Sequence, residues 1–474
     1  MTRPAPIRAL GDDDRGGILV LFAALLAIFM GIAALSFDFG RLAATQSEMQ
    51  SFADTIALAA AGELDGRSDA ITRARAAADT LVSDWQSYGD GDNTLDSGDI
   101  TMAFYAVRPS DTGSVLPTTD ARAAGYVSVR VTPRTVAPVF GAAFAALSGN
   151  DTGTDQVEAY AVAGFTSYAC DITPMMFCAP SANFKAEDYV GAAFQLRLSG
   201  GSSWGPGAFG FIDPSATMID QTGVCAGETG SKLDMCLISA VGNRTSCFAT
   251  SGVDIATGQR VGNYEAALNV RFDIYNSASN SLRNNSLYPP APNVLSGYGP
   301  ESGQCIGQNP IPLPTVTGLP PDDCQTLGTC GYWGDADWSV GRASYVTTNY
   351  GGVDPHPGAT TRYDYYLAEI DRWNSATGNL KRDLTEMMRP QCSSRPAGDP
   401  DRRVFVAAAI DCVGNPVGGG ERNVPVLEFV EVFMLAPVGV DGTRDVWVEV
   451  IGGLGGVGGN QTDGIVRDVV QLYD

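Results

Sequence analysis

Cysteines are the side chains whose number and placement most clearly indicate chemistry in this sequence. The chain of 474 residues has ten of them, an even number. None lies before residue 166, and the positions are Cys170, Cys178, Cys225, Cys236, Cys247, Cys305, Cys324, Cys330, Cys392 and Cys412. No pair has C-x-x-C spacing, so redox catalysis and zinc ribbons have little support. In an oxidising compartment, such a set is typical of a disulfide framework.

The spacing of the cysteines leaves their pairing open. Cys170 with Cys178 and Cys324 with Cys330 are candidates for local bridges, but connectivity cannot be deduced from spacing. The proline-rich stretch 288–323 is expected to be a surface loop clamped by Cys305 and Cys324. We expect each bridge to stabilise the fold by about 2–4 kcal/mol, mainly by restricting the unfolded chain.

Groups suited to acid–base or nucleophilic catalysis are few. A Ser-His-Asp or Cys-His system would have to use the only histidine, His356. It lies between two prolines and is expected to be a solvent-facing loop residue. Two acidic pairs of a kind that hydrolases use are present, Asp364 with Asp371 and Glu428 with Glu431. Because charged residues on helix and strand faces are usually solvated, we expect no enzyme activity, cofactor or small-molecule substrate.

Metal-binding and nucleotide-binding patterns are weak. The acidic loop 88–99 offers carboxylates at Asp90, Asp92 and Asp96, but it lacks the glycine and glutamate that an EF-hand needs. A solvated turn is expected there. The glycine run 452–459 has neither G-x-G-x-x-G nor Walker spacing, so it does not indicate a nucleotide loop.

Composition and charge narrow the class of partner. The net charge is −23, from 30 basic and 53 acidic residues. A field that negative repels phosphate backbones, so nucleic acid is excluded as an expected partner. The length favours two or three domains, and the apolar fraction of 44% is that of a globular protein.

An uncharged segment near the N-terminus predicts a membrane anchor. Residues 16–37 form 22 residues without charge, enough to cross a hydrocarbon core of about 30 Å. Arg3, Arg8 and Arg15 precede this segment, and only Arg41 follows closely. The arginine bias predicts a single-pass protein with residues 1–15 in the cytoplasm. The bulk of the chain would then lie on the other side of the membrane.

The apolar segment has two alternative interpretations, each of them a leader peptide that is cut off rather than a retained anchor. A cleaved signal peptide would have a shorter apolar core followed by an A-x-A-like site. A prepilin leader, by resemblance to pilins, would have an acid at the fifth position after its glycine. After Gly17 that position is Phe22. The apolar run instead continues into a helical pattern, which favours retention.

The helical pattern extends from residue 18 to residue 64, about 70 Å at about 1.5 Å per residue. Beyond residue 38, one apolar stripe has three-four spacing: Leu42, Met49, Phe52, Ile56 and Ala59. We expect this stripe to pack on the protein's own sheet. The alternative is a seam for a partner helix.

Six blocks share a family pattern: the glycine-led start at 16–17, FDFGR at 37–41, MQSFADTIALA at 49–59, CDITPMMFCAP at 170–180, GPGAFGF at 205–211 and NVRFDIY at 269–275. Together they resemble TadG-like proteins of the alphaproteobacterial type, associated with Tad/Flp pilus assembly. The resemblance implies a bacterial inner-membrane protein whose bulk is periplasmic or extracellular. It implies a link to pilus biogenesis, surface attachment or cell-envelope organisation, and we expect a non-enzymatic component with protein partners in such an assembly.

The alternative function is a surface adhesion or binding module, either with or without a bound metal ion. Some relatives carry a von Willebrand A-type domain, whose metal site begins D-x-S-x-S. Here Asp213 begins a similar segment, but Thr217 stands where the pattern has serine and Pro214 lies inside the loop. A turn that ends a strand explains these residues, and we expect no metal.

The predicted fold is α+β. In the membrane-proximal domain 38–165, a second helix is expected at 67–84, and period-two strands at 100–107, 126–131 and 156–163, with a short buried helix at 135–147. Helices on one face of an antiparallel sheet follow. Domain 166–474 is expected to be loop-rich and β-rich, with a helix at 363–388 broken near Gly378 and strands at 404–410, 424–435, 446–451 and 465–472.

Overall fold

A computed structural model describes most of the chain. It covers residues 17–81, 84–85, 94–109, 115–140, 155–198, 204–214, 218–219, 223–242, 246–249, 252–256, 261–300, 305, 310–387, 390–414, 417–439, 443–454 and 466–473. The chain forms two compact units. The first is Met1–Phe165 with Val470–Asp474, and the second is Thr166–Val469.

The first unit joins two helices to antiparallel strands. Its elements are α1 Gly17–Ala61, α2 Ala70–Leu81, β1 Asp84–Trp85, β2 Thr94–Leu95, β3 Ile100–Tyr105, β4 Tyr126–Val136 and β5 Asp155–Cys170. Strand β4 pairs antiparallel with both β3 and β5. Helix α1 is continuous over 45 residues, as the helical pattern predicts.

The short helix predicted at 135–147 is wrong for its first residues. Thr135 and Val136 continue strand β4 and pair with Gln156 and Asp155. Both side chains are β-branched, which favours an extended backbone over a helical one. Val139 and Phe140 are helical, and residues 141–147 lie outside the described residues.

The core of the first unit lies between the helices and the sheet. Alanines of α2 at i, i+4 and i+8 allow close approach to α1. The buried side chains include Met49, Phe52 and Ile56 of α1, Ala70, Ala74 and Ala78 of α2, and Val127, Val129 and Val131 of β4. Helices therefore cover one face of an antiparallel sheet, as in α+β proteins.

The second unit is larger and mixed. In chain order it contains β6 Met175–Cys178, β7 Ala193–Leu198, β8 Ala208–Phe211, β9 Met218–Ile219, α3 Gly230–Ser239, β10 Ser246–Ala249, α4 Val261–Asn269, β11 Tyr298–Pro300, β12 Pro310–Pro312, α5 Asp323–Thr326, α6 Ser339–Tyr350, α7 Arg362–Ser375, α8 Gly378–Asp383, β13 Val404–Ile410, β14 Val426–Met434 and β15 Val446–Leu454. The last strand of the chain, β16 Val466–Tyr473, pairs with β5.

Six of these strands close into a barrel in the order β13, β14, β15, β7, β8 and β6. The β6–β13 and β7–β8 pairs are parallel, and the other neighbours are antiparallel. Alternate residues of all six strands meet in one core, among them Phe177, Phe194 and Phe209. The opposite faces are also largely covered, which explains why β13 is almost continuously apolar.

Helices α6 and α7 pack on the outside of this barrel. Tyr345 of α6 and Tyr366 of α7 share a buried cluster with Phe433 of β14. The helix predicted at 363–388 is two helices in the structure, α7 and α8, which meet next to the predicted break at Gly378.

The proline-rich stretch 288–323 is mostly irregular, with a short antiparallel pair of strands, β11 and β12, and its first part is not a surface loop. Residues 288–297 are buried. Their backbone groups find partners in the interior: Ala291 N donates to the Arg271 carbonyl at 2.8 Å, and Arg402 Nε donates to the Pro289 carbonyl at 2.6 Å. Because these polar groups are satisfied, an irregular segment is tolerated inside the unit.

Candidate functional site

The first half of helix α1 is an uncovered apolar surface. Its most hydrophobic 18-residue window has a mean hydropathy of 2.9 and is 0% buried. Ile18, Phe29 and Leu35 expose 83%, 66% and 59% of their surface. An apolar surface this long and continuous is unusual in water and matches the thickness of a bilayer. Among the described residues, this is the one helix long and apolar enough to cross a membrane.

The second half of the same helix is packed. Met49 and Ile56 are fully buried and Phe52 is 3% exposed. Leu42 packs against the same core from a half-buried position, and Ala59 is half-buried at its margin. The predicted stripe therefore lies mostly against the unit's own sheet, and its large side chains are not open to a partner helix.

All ten cysteines lie in the described ranges, and none is free. The pairs are Cys170–Cys247, Cys178–Cys412, Cys225–Cys236, Cys305–Cys392 and Cys324–Cys330. The local bridge Cys324–Cys330 is present. The prediction of a local bridge between Cys170 and Cys178 is wrong. So is the prediction that Cys305 and Cys324 clamp a loop.

Strand register explains why Cys170 and Cys178 do not pair. Cys170 ends β5 directly opposite Cys247 of β10. Cys178 ends β6, where it is in register with Ile410 of the parallel strand β13, two residues before Cys412. The Cys178–Cys412 bond spans 234 residues of sequence and fastens two barrel strands that are distant in the chain.

A buried ionic cluster fixes helix α7 to the barrel. Arg362, Asp322 and Glu449 all have fully buried side chains. Arg362 Nη1 donates to Glu449 Oε2 at 3.0 Å, and Arg362 Nη2 donates to Asp322 Oδ1. Burial raises the pKa of Glu449, and the Arg362 guanidinium acts against this rise. Each charge therefore needs its partners, because an unpaired ion inside a protein is costly.

A second buried carboxylate, Glu369 of α7, is held by neutral donors. Tyr345 Oη and Tyr350 Oη donate to its Oε1 at 2.5 and 2.6 Å. Asn293 Nδ2 donates to its Oε2 at 2.9 Å. Burial raises the pKa of Glu369 to about 7, and the nearby Glu386 carboxylate also raises it. The three hydrogen bonds lower this pKa and so oppose the rise. The side chain is therefore poised to change charge near neutral pH.

His356 is not the solvent-facing residue that the sequence suggests. Its side chain is only 8% exposed and its Nε2 lies 4.0 Å from Glu386 Oε1. Its ring packs against the edge of Tyr365, with centroids 5.1 Å apart. Burial lowers the pKa of His356, and the Arg372 guanidinium lowers it further. Packing of the 354–359 loop against α7, which local sequence does not encode, causes this burial.

At least one member of each acidic pair has a structural partner in the protein. Asp364 completes the capping box at the start of α7 with Thr361, while Asp371 is exposed. Glu428 accepts a hydrogen bond from Ala186 N at 2.7 Å. Capping and backbone contacts of this kind satisfy carboxylates without a substrate.

The metal hypotheses fall partly outside the described residues, which omit 88–93 and 215–217. Asp96 accepts a hydrogen bond from Gly98 N and caps a short 3-10 turn. In the part of the chain that the structure describes, no group of three or more His, Cys, Asp or Glu side chains is placed to hold a metal ion. Of the glycine run, Gly452 and Gly453 belong to β15, and residues 455–459 are not described.

Sequence reasoning missed the buried charges Arg362, Glu449 and Glu369. One signal was available for Glu369, which lies within the apolar stripe of α7, three residues after Tyr366 and one before Ile370. A charge inside such a stripe indicates a buried, partnered group.

No family model, curated protein or solved structure matches this chain.

Proposed function

We propose that this protein is a non-enzymatic, single-pass component of a bacterial inner membrane that holds a disulfide-braced domain outside the cytoplasm. The observation that carries the proposal is the continuity of helix α1. Its first half exposes an apolar surface, and without a break its second half enters the core of the first unit. A membrane anchor and a folded domain thereby share one rigid element.

Two independent features support the same orientation. Arginines before the apolar segment outnumber those close behind it, which favours a cytoplasmic N-terminus. Every cysteine lies beyond the segment and is paired. Disulfides form and persist in oxidising compartments, so the second unit is suited to the periplasm or cell surface.

The roles of the buried charges support a structural function over a catalytic one. Arg362, Glu449 and Asp322 join the barrel to its helices. Asp273 accepts hydrogen bonds from the backbone N–H groups of Gln391, Cys392 and Ser393. Buried polar groups of this kind help to specify the fold. Contacts with partners are then made by the surface of the protein.

Participation in a Tad/Flp-type pilus or in envelope organisation is the specific form of the proposal. Three blocks that resemble TadG-like proteins supply interior parts of the second unit. Block 170–180 contains Cys170, Cys178 and strand β6; block 205–211 contains β8; and block 269–275 contains the buried Arg271 and Asp273. The resembling blocks thus form part of the folded interior of the second unit, and the proposed role rests on that resemblance.

Orientation is tested by site-specific proteolysis. A protease recognition sequence is inserted after Gly352, in an exposed loop of the second unit, and in a matched variant within residues 1–15. In spheroplasts we expect cleavage of the first variant only, with the second cut after lysis. Non-reducing mass spectrometry of the same protein should find no free thiol. Cleavage in the reverse order, or ten free thiols, would refute the proposal.

The biological role is tested by deleting the gene and complementing it. One complementing variant is the full chain, and the matched variant replaces residues 16–37 with a cleavable secretion signal. We expect pili to be restored only by the anchored chain. Pilus number and surface attachment are scored separately, because loss of attachment with normal pili would favour the adhesion alternative.

A further inference from the structure

A short turn in the first unit exposes apolar side chains beside the apolar half of helix α1. The turn follows strand β4 and consists of residues 137–140, here called the exit turn, whose last two residues have helical backbone. Val139 and Phe140 expose 52% and 46% of their surface. The Phe140 ring meets the ring of Phe37 edge-on, with centroids 5.6 Å apart. Phe37 is the last residue of the uncharged segment.

Hydrogen bonds fasten the exit turn to the helix at this level. The Asp38 carboxylate accepts bonds from Val139 N at 3.0 Å and from Phe140 N at 3.1 Å. Arg41 Nη1 donates to the Ala137 carbonyl at 2.9 Å. The first charged residues after the apolar segment are thus both used to hold one turn.

These bonds suit a turn that lies against lipid. Backbone N–H groups that leave water need another partner, because an unsatisfied group in an apolar medium costs several kcal/mol. Here two N–H groups and one carbonyl of the turn are bonded to α1, while the side chains of Val139 and Phe140 stay about half exposed. Phenylalanine and other large apolar side chains of interfacial elements enter the boundary between headgroups and acyl chains, which is the level of Phe37 if α1 spans the bilayer.

We infer that the exit turn is a second lipid-contacting element, with Val139 and Phe140 inserted at the headgroup–acyl boundary of the bilayer that α1 crosses. The inference rests on the anchoring role proposed above. Continuity with the exposed apolar surface of α1 favours lipid over a protein partner. Two points of contact, the helix and the turn, would hold the first unit in a fixed orientation on the membrane.

Spin-label depth measurements on the full chain in phosphatidylethanolamine–phosphatidylglycerol vesicles test this inference. Because the native cysteines are paired, a nitroxide attaches only to an introduced thiol. The variants are Phe140→Cys and Val139→Cys in the turn and Leu25→Cys in the anchor. Leu116→Cys is the aqueous control, since Leu116 is 82% exposed. It lies near Thr118, whose N–H donates to the Phe104 carbonyl at the end of strand β3 that is farther from the exit turn.

We expect a collision rate with oxygen, relative to a water-soluble nickel complex, that is several-fold higher at positions 139 and 140 than at 116. Position 25 should give the highest ratio. A lipid-like value at 25 with a value at 139 and 140 equal to that at 116 would overturn the inference and leave the anchor intact. A turn shielded from both reagents would also overturn it, by indicating a protein occupant. An aqueous value at 25 would instead refute the anchor itself.

The role of Asp38 in holding the exit turn is tested by adding Asp38→Ala to the variant that carries the spin label at position 140. Losing the bonds to Val139 N and Phe140 N should lower the oxygen-to-nickel ratio toward the aqueous value. Asp54→Ala is the matched control, because Asp54 lies on the same helix and accepts a bond only within it, from Gln50, among the bonds described. An unchanged ratio in the Asp38 variant would contradict the positioning role of Asp38.

Discussion

Glu449 binds both the backbone and the side chain of Arg362. Its Oε2 accepts hydrogen bonds from Arg362 N at 2.9 Å and from Nη1 at 3.0 Å. Its Oε1 accepts from Tyr363 N at 2.8 Å. A carboxylate on a barrel strand therefore caps the N-terminus of helix α7, where unpaired N–H groups and the helix dipole favour negative charge.

Replacing Arg362 should destabilise the second unit strongly. Arg362→Met would leave the buried carboxylates of Glu449 and Asp322 without their cation. Breaking a buried pair by removing one partner costs about 3–5 kcal/mol. Differential scanning calorimetry of the purified protein measures the loss. The control is Arg382→Met, whose exposed pair with Asp383 should contribute at most about 1 kcal/mol. Similar melting temperatures for the two variants would contradict a structural role for the cluster.

Gly334 should not tolerate a side chain. A β-carbon at this position would overlap the Asp322 carboxylate and approach the Ala193 carbonyl to 2.8 Å. That carboxylate is fixed by N–H groups of Ala193 and Ala336 at 3.2 and 2.8 Å. We expect Gly334→Ala to cost about 1–3 kcal/mol through overpacking, measured as a lower melting temperature. Gly358→Ala, which meets nothing within 4 Å, is the matched control and should be near neutral.

The disulfides should differ in their contribution to stability. A bond that closes a longer loop restricts the unfolded chain more. For the separation of 234 residues in Cys178–Cys412, the chain-entropy relation gives about 5 kcal/mol, and for the six of Cys324–Cys330 about 2 kcal/mol. Double alanine variants of each pair, compared by thermal unfolding under non-reducing conditions, measure this. Equal losses would show that strain or packing, not loop length, determines the contributions.

Glu369 should make stability fall as pH rises toward neutral. Its folded pKa of about 7 lies above the ordinary value of 4.5. Between these values the unfolded chain has lost the proton that the folded chain keeps, so the stabilisation present below pH 4.5 is lost as pH rises through 7. The difference corresponds to about 3 kcal/mol. Melting temperatures from pH 4 to 8 should show this decline in the wild type and a flatter curve for Glu369→Gln.

His356 provides a control of opposite sign for that experiment. Its lowered pKa makes stability rise with pH just below its ordinary value of 6.5, because the unfolded chain binds the proton more readily there. His356→Gln should therefore keep the decline caused by Glu369 and remove only this opposing slope. A Glu369→Gln variant with the wild-type slope would show that other groups carry the pH dependence.

Patterns of neighbouring residues were enough to predict many elements. Uncharged length predicted the exposed half of α1, three-four spacing predicted its packed half, and period-two alternation predicted strands β3, β4 and β5. Such patterns depend on residues a few positions apart, since a helix or strand face is set by its local repeat. The even number of cysteines, all of them after residue 165, likewise predicted disulfides.

Tertiary structure alone decided which distant residues meet. Cys178 pairs with Cys412 because β6 lies parallel to β13, and Glu449 reaches Arg362 because α7 docks on β15. His356 and residues 288–297 are buried because other segments cover them, although proline-rich sequence suggests a surface loop. Closing a barrel selects strand neighbours by register and packing across hundreds of residues, and no local repeat carries that information.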